Sequence, residues 1–429
     1  MARSIKIPCP EPLVSASEDT GTKKYLIHLV TPLFGGGVEA GKNDPITLIR
    51  GASIRGQLRF WWRASRGASI SSVTELGKRE GDIWGTSTTP SLVSIKVQNI
   101  QIGKQERCAE YEQDRNRGGV KGFPTFKPTF PEYALFPFKG DAKYGKLEEQ
   151  PATVTRTASF ELVVGWSTEN DIEKDVEAAI WSWVNFGGLG ARTRRGCGTL
   201  FCESLAPPND KNLQAWYAQK LKENDISLSE TPRDWPTLPS KLLVKPNAAE
   251  PLKAWNDVVK LLQDFRQGPE VGRNPGQSRN RPGRSRWPEA DSLRRITGKG
   301  SPKHKESLTT PENAFPRAEL GLPIIFHFQE KEMSDSELYP EGSQRMASPL
   351  ILKPLALSQN HALPAVICLN TKPLERIRLE KVANAKVLSQ KEIRRHNLAT
   401  YNNSPIKDRS ASGSALEAFQ NFVKEKGYK

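Results

Sequence analysis

The chain has 429 residues, length for two or three domains, with 36% AVILMFWYC and 26% charged residues. Lys plus Arg number 63 against 48 Asp plus Glu, a formal charge of +15 that favours a polyanionic partner, nucleic acid first. Apolar runs stay under ten residues, which excludes a bilayer-spanning helix, and the first twelve residues lack the apolar stretch of a signal peptide.

Residues 24–32 (KYLIHLVTP) predict a strand that stops at Pro32. A loop opened by Gly35-Gly36-Gly37 follows, then a helix over 53–66 with Ser53 as its N-cap. Residues 91–102 alternate loosely and predict a second strand. The stretch 103–150 is long, charged and rich in Pro and Gly, the composition of a functional or disordered insertion. Residues 153–165 predict a strand. Asp171–Phe186 predicts a helix, with Ile172, Val176, Ala179, Ile180 and Trp183 on one face. Thr199–Leu205 closes the half as a short strand. The order β-α-β-β-α-β is ferredoxin-like, with both helices on one face of an antiparallel sheet and the other face free.

Residues 206–250, with five prolines before Lys245 and little periodicity, predict an inter-domain connection. The second half predicts a helix at Leu252–Phe265, strands at 322–329, 349–357 and 362–369, and a terminal amphipathic helix at 415–426.

Two segments carry the chemistry. In GASIRGQLRFWWRA, Arg55, Arg59, Arg63 and Arg66 fall at i, i+4, i+8 and i+11, one basic stripe beside an apolar face of Ile54, Leu58 and Trp61. Like charges on one helix face repel, so an anion is expected against them: a ligand, or acids of the chain itself. Trp61 and Trp62 are read either as core or as stacking platforms. In FGGLGARTRRGCG, five glycines within twelve residues follow a helix and carry Arg192, Arg194 and Arg195, a combination that suits phosphate and ribose contacts. A third segment, 266–305, has eleven Lys/Arg against three Asp/Glu, rich in Gly and Pro. It is expected to be a flexible basic arm that orders on RNA.

The segments TPLFGGG (31–37), SIRGQLRFWWRA (53–64) and GGLGARTRRGCGTL (187–200) resemble the RAMP superfamily of CRISPR-associated RNA-binding proteins. Within it, they look like the first RAMP subunit of the type III-B (Cmr) effector complex, as does ASPLIL at 347–352. The resemblance implies an α+β chain of two ferredoxin-like (RRM-like) RAMP domains with long insertions. These are 1–205 with insertion 103–150, a connection at 206–250, and 251–429 with the basic insertion 266–305. It implies a non-catalytic, cytoplasmic subunit that binds guide RNA near its 3′ end and target RNA, beside other Cmr RAMP subunits and away from membranes. The RNA-facing set expected is Arg50, Arg55, Arg59, Trp62 and Arg63 around the helix, Gly188, Gly190, Arg192, Arg194 and Arg195 on the loop, and Arg294 and Arg295 in the basic segment.

The alternative is a RAMP-fold endoribonuclease acting on guide precursor or target. Its candidate groups are His28, His327 and Asp44, which lies in the loop after the first strand, the position where target-cleaving relatives carry an Asp. No HExxH, CxxC, Walker or dinucleotide motif occurs, and neither metal nor cofactor is expected. Five cysteines without a tight framework fit a reducing compartment.

Overall fold

A computed structural model describes residues 20–35, 44, 46–114, 116, 118–277, 283–300, 304, 306–308, 310–328, 332–382 and 385–429. The first half contains β1 (Thr20–Leu29), α1 (Gly51–Ala64), α2 (Val73–Trp84), β2 (Val93–Ile102), β3 (Ala158–Ser167), α3 (Glu173–Phe186) and β4 (Leu200–Phe201). The second contains α4 (Leu213–Glu223), β5 (Leu243–Val244), α5 (Pro251–Gln267), α6 (Glu289–Thr297), β6 (Ile324–Phe326), β7 (Ser336–Pro340), β8 (Leu350–Ala356), β9 (Ala362–Cys368), β10 (Arg376–Glu380), β11 (Lys386–Ser389) and α7 (Ala415–Glu425).

The first sheet has the antiparallel order β4-β1-β3-β2. On β1, Tyr25, Ile27 and Leu29 face inward, and on β3, Phe160, Leu162 and Val164 do the same, as a half-buried sheet requires. α1 and α3 pack together over this face. The predicted strand at 153–165 is two strands. Thr153–Thr155 pairs with Leu33–Phe34 and Gln105–Arg107 in a small separate sheet, and the chain re-enters the main sheet at Ala158. Helix α2 fills a stretch where the sequence reading placed nothing.

The second half repeats the logic. The sheet β5-β9-β8 is antiparallel, and Val244 exchanges two backbone hydrogen bonds with Lys429, both 3.0 Å, at the outer side of β5. α5 packs on β8 and β9, and α7 packs on α5. Strands β8 and β9 are buried on both faces, which explains why they are apolar throughout except for Lys353. One face continues the core of the first sheet through Ile351, Leu355, Leu363 and Ile367; the other meets α5, α7 and Phe126, Phe130 and Leu135 of the 103–150 stretch. Segments on either side of β8 and β9 build a third sheet, β6-β7-β10-β11, with its own apolar core. The 206–250 stretch is more than a connection: α4 lays Trp216 and Tyr217 against Trp181, at ring-centroid separations of 6.0 and 6.1 Å.

Lys353 of β8 is fully buried at the junction of the two halves, and its Nζ donates to Gly187 O at the C-terminal end of α3 (2.8 Å). The negative end of the helix dipole offsets part of its desolvation, yet burial still pushes the ammonium down to about 7. The unfolded chain, with a lysine pKa of about 10, therefore binds more protons between those values, and stability rises with pH across that window. Lys353→Met is expected to gain stability relative to the parent as pH falls from about 10 to about 7, measured by urea unfolding at both ends. A pH-independent difference would show that Lys353 stays charged in the fold.

Candidate functional site

The arginine face of α1 is closed by the chain itself. Arg59 Nε and Arg63 Nη1 both donate to Glu80 Oε1 at 2.6 Å, because α2 lies alongside α1 and presents one carboxylate to residues four apart. Arg55 donates to Ser91 Oγ (2.7 Å) and Val93 O (3.0 Å), and Arg66 donates to Asp225 O (2.6 Å). The anion that the stripe needs is thus largely Glu80, which corrects the reading of Arg55, Arg59 and Arg63 as a free ligand face. Arg50 sits in extended backbone just ahead of α1 and makes no side-chain cap.

Trp61 and Trp62 are 2% and 1% exposed. Trp62 Nε1 donates to Asp175 Oδ1 (2.6 Å), and Asp175 also faces Arg66 and Arg79 at 3.5 Å. No face of either indole is open to a base, so Trp62 leaves the stacking set and belongs to the core.

The glycine loop is different. It packs on the first signature segment: Ala191 N donates to Phe34 O (2.7 Å), Gly198 N to Pro32 O (2.8 Å), and Thr31 Oγ1 to Gly196 O (2.6 Å). Gly36 and Gly37 of that segment lie outside the described residues. Gly190 has φ +77, and a Cβ there would sit 2.4 Å from Phe34 O; Gly196 has φ +81 and would meet Leu352 O at 2.9 Å. Gly188 O accepts the Trp183 indole N–H at 3.1 Å. These glycines admit close approach, but what approaches is the chain's own backbone.

Arg194 donates to Ser348 O and lies 5.4 Å from the Phe60 ring centroid; Arg195 donates to Leu350 O (2.9 Å), and its own carbonyl accepts the Trp255 indole (2.6 Å). Both therefore join the two halves of the chain through neutral acceptors. Arg192, in the left-handed region at φ 57, has no side-chain hydrogen bond or ion pair among the described residues, and its Nε is buried without an acceptor. None of the three contacts a carboxylate among the described residues. Burial pushes Arg195 down to about 10 and lowers Arg192 and Arg194.

Arg192 and Arg195 open into a cleft of about 980 Å³, lined also by Arg266 at the end of α5, Arg273, Tyr133 and Phe136. Lys260 and Asp264 on its wall pair with each other at 3.0 Å. Among the described residues the Arg273 side chain donates only to Gly283 O (3.2 Å), and the Arg266 side chain has no partner. Glu132 also lines the cleft, so four guanidinium groups and Lys260 face two carboxylates there, and the concave patch keeps a positive balance suited to phosphate oxygens. The sequence reading missed Arg266 and Arg273 as site residues. Their signal was the basic count of 266–305, which cannot say which arginines are spent internally.

That segment also departs from the flexible arm expected of it. Trp287 is 1% exposed, stacks edge-on against Phe265 at 5.2 Å and donates to Arg266 O (3.0 Å), and Leu293 of α6 is fully buried. Arg284 and Arg294 converge on Asp291 at 2.7 and 2.9 Å. Arg295 donates to Asn313 Oδ1 (3.2 Å) and Ser307 Oγ. Arg294 and Arg295 are thus engaged by the protein; residues 278–282, 301–303 and 305 lie outside the described residues.

The nuclease candidates have ordinary local roles. Asp44 accepts from the Ile46 and Thr47 amides, both 2.8 Å, which hold its carboxyl below the usual range. His28 leans on Phe201 at 6.3 Å and is lowered by burial. His327 Nδ1 meets Asp335 at 2.8 Å on the surface. Among the described residues no three His, Cys, Asp or Glu could hold a metal ion, and no helix is long and apolar enough to cross a membrane.

Residues 26–201 match the RAMP superfamily model. A Pyrococcus furiosus CRISPR system Cmr subunit, Cmr1-2, is 25% identical over 187 residues, 42% of this chain and 94% of that protein. A second, Cmr1-1, is 26% identical over 153 residues, 35% of this chain and 40% of the relative. The crystal structure of apo Cmr1 from Pyrococcus furiosus aligns at 14% identity with a TM-score of 0.47, covering 95% of this chain and 97% of that one. A chain of a type III-B Cmr-beta assembly, bound to cognate target RNA and AMPPnP, aligns at 14% identity with a TM-score of 0.43, covering 93% and 99%.

Proposed function

We propose that this chain, whose residues 26–201 match the RAMP superfamily model, is a non-catalytic RNA-binding subunit of a type III-B CRISPR (Cmr) effector complex. In this reading the antiparallel units β4-β1-β3-β2 and β5-β9-β8 are two ferredoxin-like domains, joined through Arg194, Arg195 and Lys353. The subunit works in the cytoplasm, contacts guide RNA near its 3′ end and target RNA, and packs beside other Cmr RAMP subunits. The observation that carries the reading is the cleft in which Arg192, Arg266 and Arg273 meet no carboxylate among the described residues, whereas Arg59, Arg63, Arg284 and Arg294 each pair with one. Guanidinium groups that line one cleft without a carboxylate of their own suit an external anion.

The test is incubation of the purified full chain, alone and with the other Cmr subunits, with labelled guide and target RNA, with and without Mg²⁺. Binding that weakens steeply with salt, co-purification with the Cmr subunits and intact RNA are expected. Cleavage abolished by Asp44→Ala or His28→Ala would instead establish the endoribonuclease reading.

A further inference from the structure

The 103–150 stretch places two large apolar rings in water beside the basic cleft. Phe136 is 52% exposed and Phe123 is 43% exposed. Their centroids are 6.1 Å apart with planes tilted by 33°. Lys139 Nζ lies over both rings, 5.7 Å from Phe136 and 5.9 Å from Phe123. The chain supports this pair deliberately: the neighbouring Leu135 and Phe138 are buried, Phe138 stacking on Phe34 at 4.9 Å, so the turn that carries Phe136 is anchored from below. Phe136 also lines the cleft that holds Arg192, Arg266 and Arg273.

Resting on the RNA-binding reading above, we infer that Phe123 and Phe136 form a stacking platform for unpaired bases of an RNA strand whose phosphates lie on the cleft arginines. Exposed aromatic faces next to unneutralised cations are the two components of single-strand recognition: every base offers a π-face, and the backbone supplies the charge. Bases inside an A-form duplex have their faces covered by their neighbours, so the platform selects single strands and is tolerant of sequence. Lys139, over both rings and also donating to Gly140 O at 3.1 Å, adds a cation at the platform itself.

The experiment uses the full chain and a fluorescein-labelled twelve-nucleotide oligouridine, the same length of oligoadenine, and a blunt RNA duplex, with binding read by anisotropy across a salt series. The parent is expected to bind both single strands at least about tenfold more tightly than the duplex. Phe123→Leu with Phe136→Leu, both at exposed positions, is expected to lose about tenfold in single-strand affinity with an unchanged salt slope. Single-strand affinity equal to the parent's in that double variant, at matched melting temperature, overturns the platform while leaving RNA binding by the cleft intact. Equal affinity combined with lost association of another Cmr subunit also overturns it, and assigns the rings to a protein contact. A parent chain that binds none of the three RNAs overturns the platform and the cleft together.

Discussion

Replacing Arg192, Arg266 and Arg273 together with glutamine lowers RNA affinity about a hundredfold near 0.1 M salt, each charge-assisted phosphate contact contributing about 1 kcal/mol in this partly screened setting. The loss is similar for unrelated sequences, because phosphate contacts carry no base information. The slope of log affinity against log salt becomes shallower by about 2, three phosphates at roughly 0.7 each. The fold tolerates the change: Arg192 and Arg266 have no side-chain partner among the described residues and Arg273 has one carbonyl, so glutamine strands no carboxylate. Arg59→Gln with Arg63→Gln is the contrasting pair. It leaves Glu80, 10% exposed, without its guanidinium partners. That pair should lower the melting temperature while the folded protein keeps its RNA affinity and salt slope. Titrations showing the opposite pattern, with the helix pair weakening RNA and the cleft triple neutral, would move the interface back to α1.

The contrast shows what the sequence could and could not disclose. α1 was legible because Ile54, Leu58 and Trp61 repeat at helical spacing, and they are buried as that spacing demands. The fate of its arginines was not, because their acceptor, Glu80, sits on a helix that went unread. The signal for α2 was present: Ser72 accepts from the Glu75 amide as an N-cap, and Leu76 and Ile83 follow at helical intervals. The basic segment misled for a related reason. A net charge of +8 over 266–305 describes a solvated chain only if its arginines lack partners, and Arg286 is satisfied by Asn274 Oδ1 (3.0 Å), an acceptor that charge counting ignores. The third sheet escaped because β7, β10 and β11 are short and lie in segments around β8 and β9 that share no sequence signal of pairing. Where sequence spacing and packing agree, as in α5 and α7, the elements read to within two residues.

Trp62→Ala separates packing from recognition most sharply. The substitution empties an indole volume that is 1% exposed and removes the donor held by Asp175 at 2.6 Å. Large-to-small changes at such sites cost about 3–5 kcal/mol, and the abandoned Asp175, itself 3% exposed, adds the penalty of a buried carboxylate that has lost its nearest donor. A severe drop in melting temperature and in urea midpoint is expected. Trp62→Phe restores most of the volume and none of the hydrogen bond, so it should recover part of the stability. In both variants the fraction that remains folded should bind RNA as the parent does, because the cleft draws on α5 and the loop after α3 rather than on α1. Reduced RNA affinity in a Trp62→Phe protein with parental stability would mean that the indole reaches the strand after all. The physical objection to that outcome is direct: a ring that meets solvent on neither face, with its only polar atom committed to a carboxylate, has no surface left to offer a base.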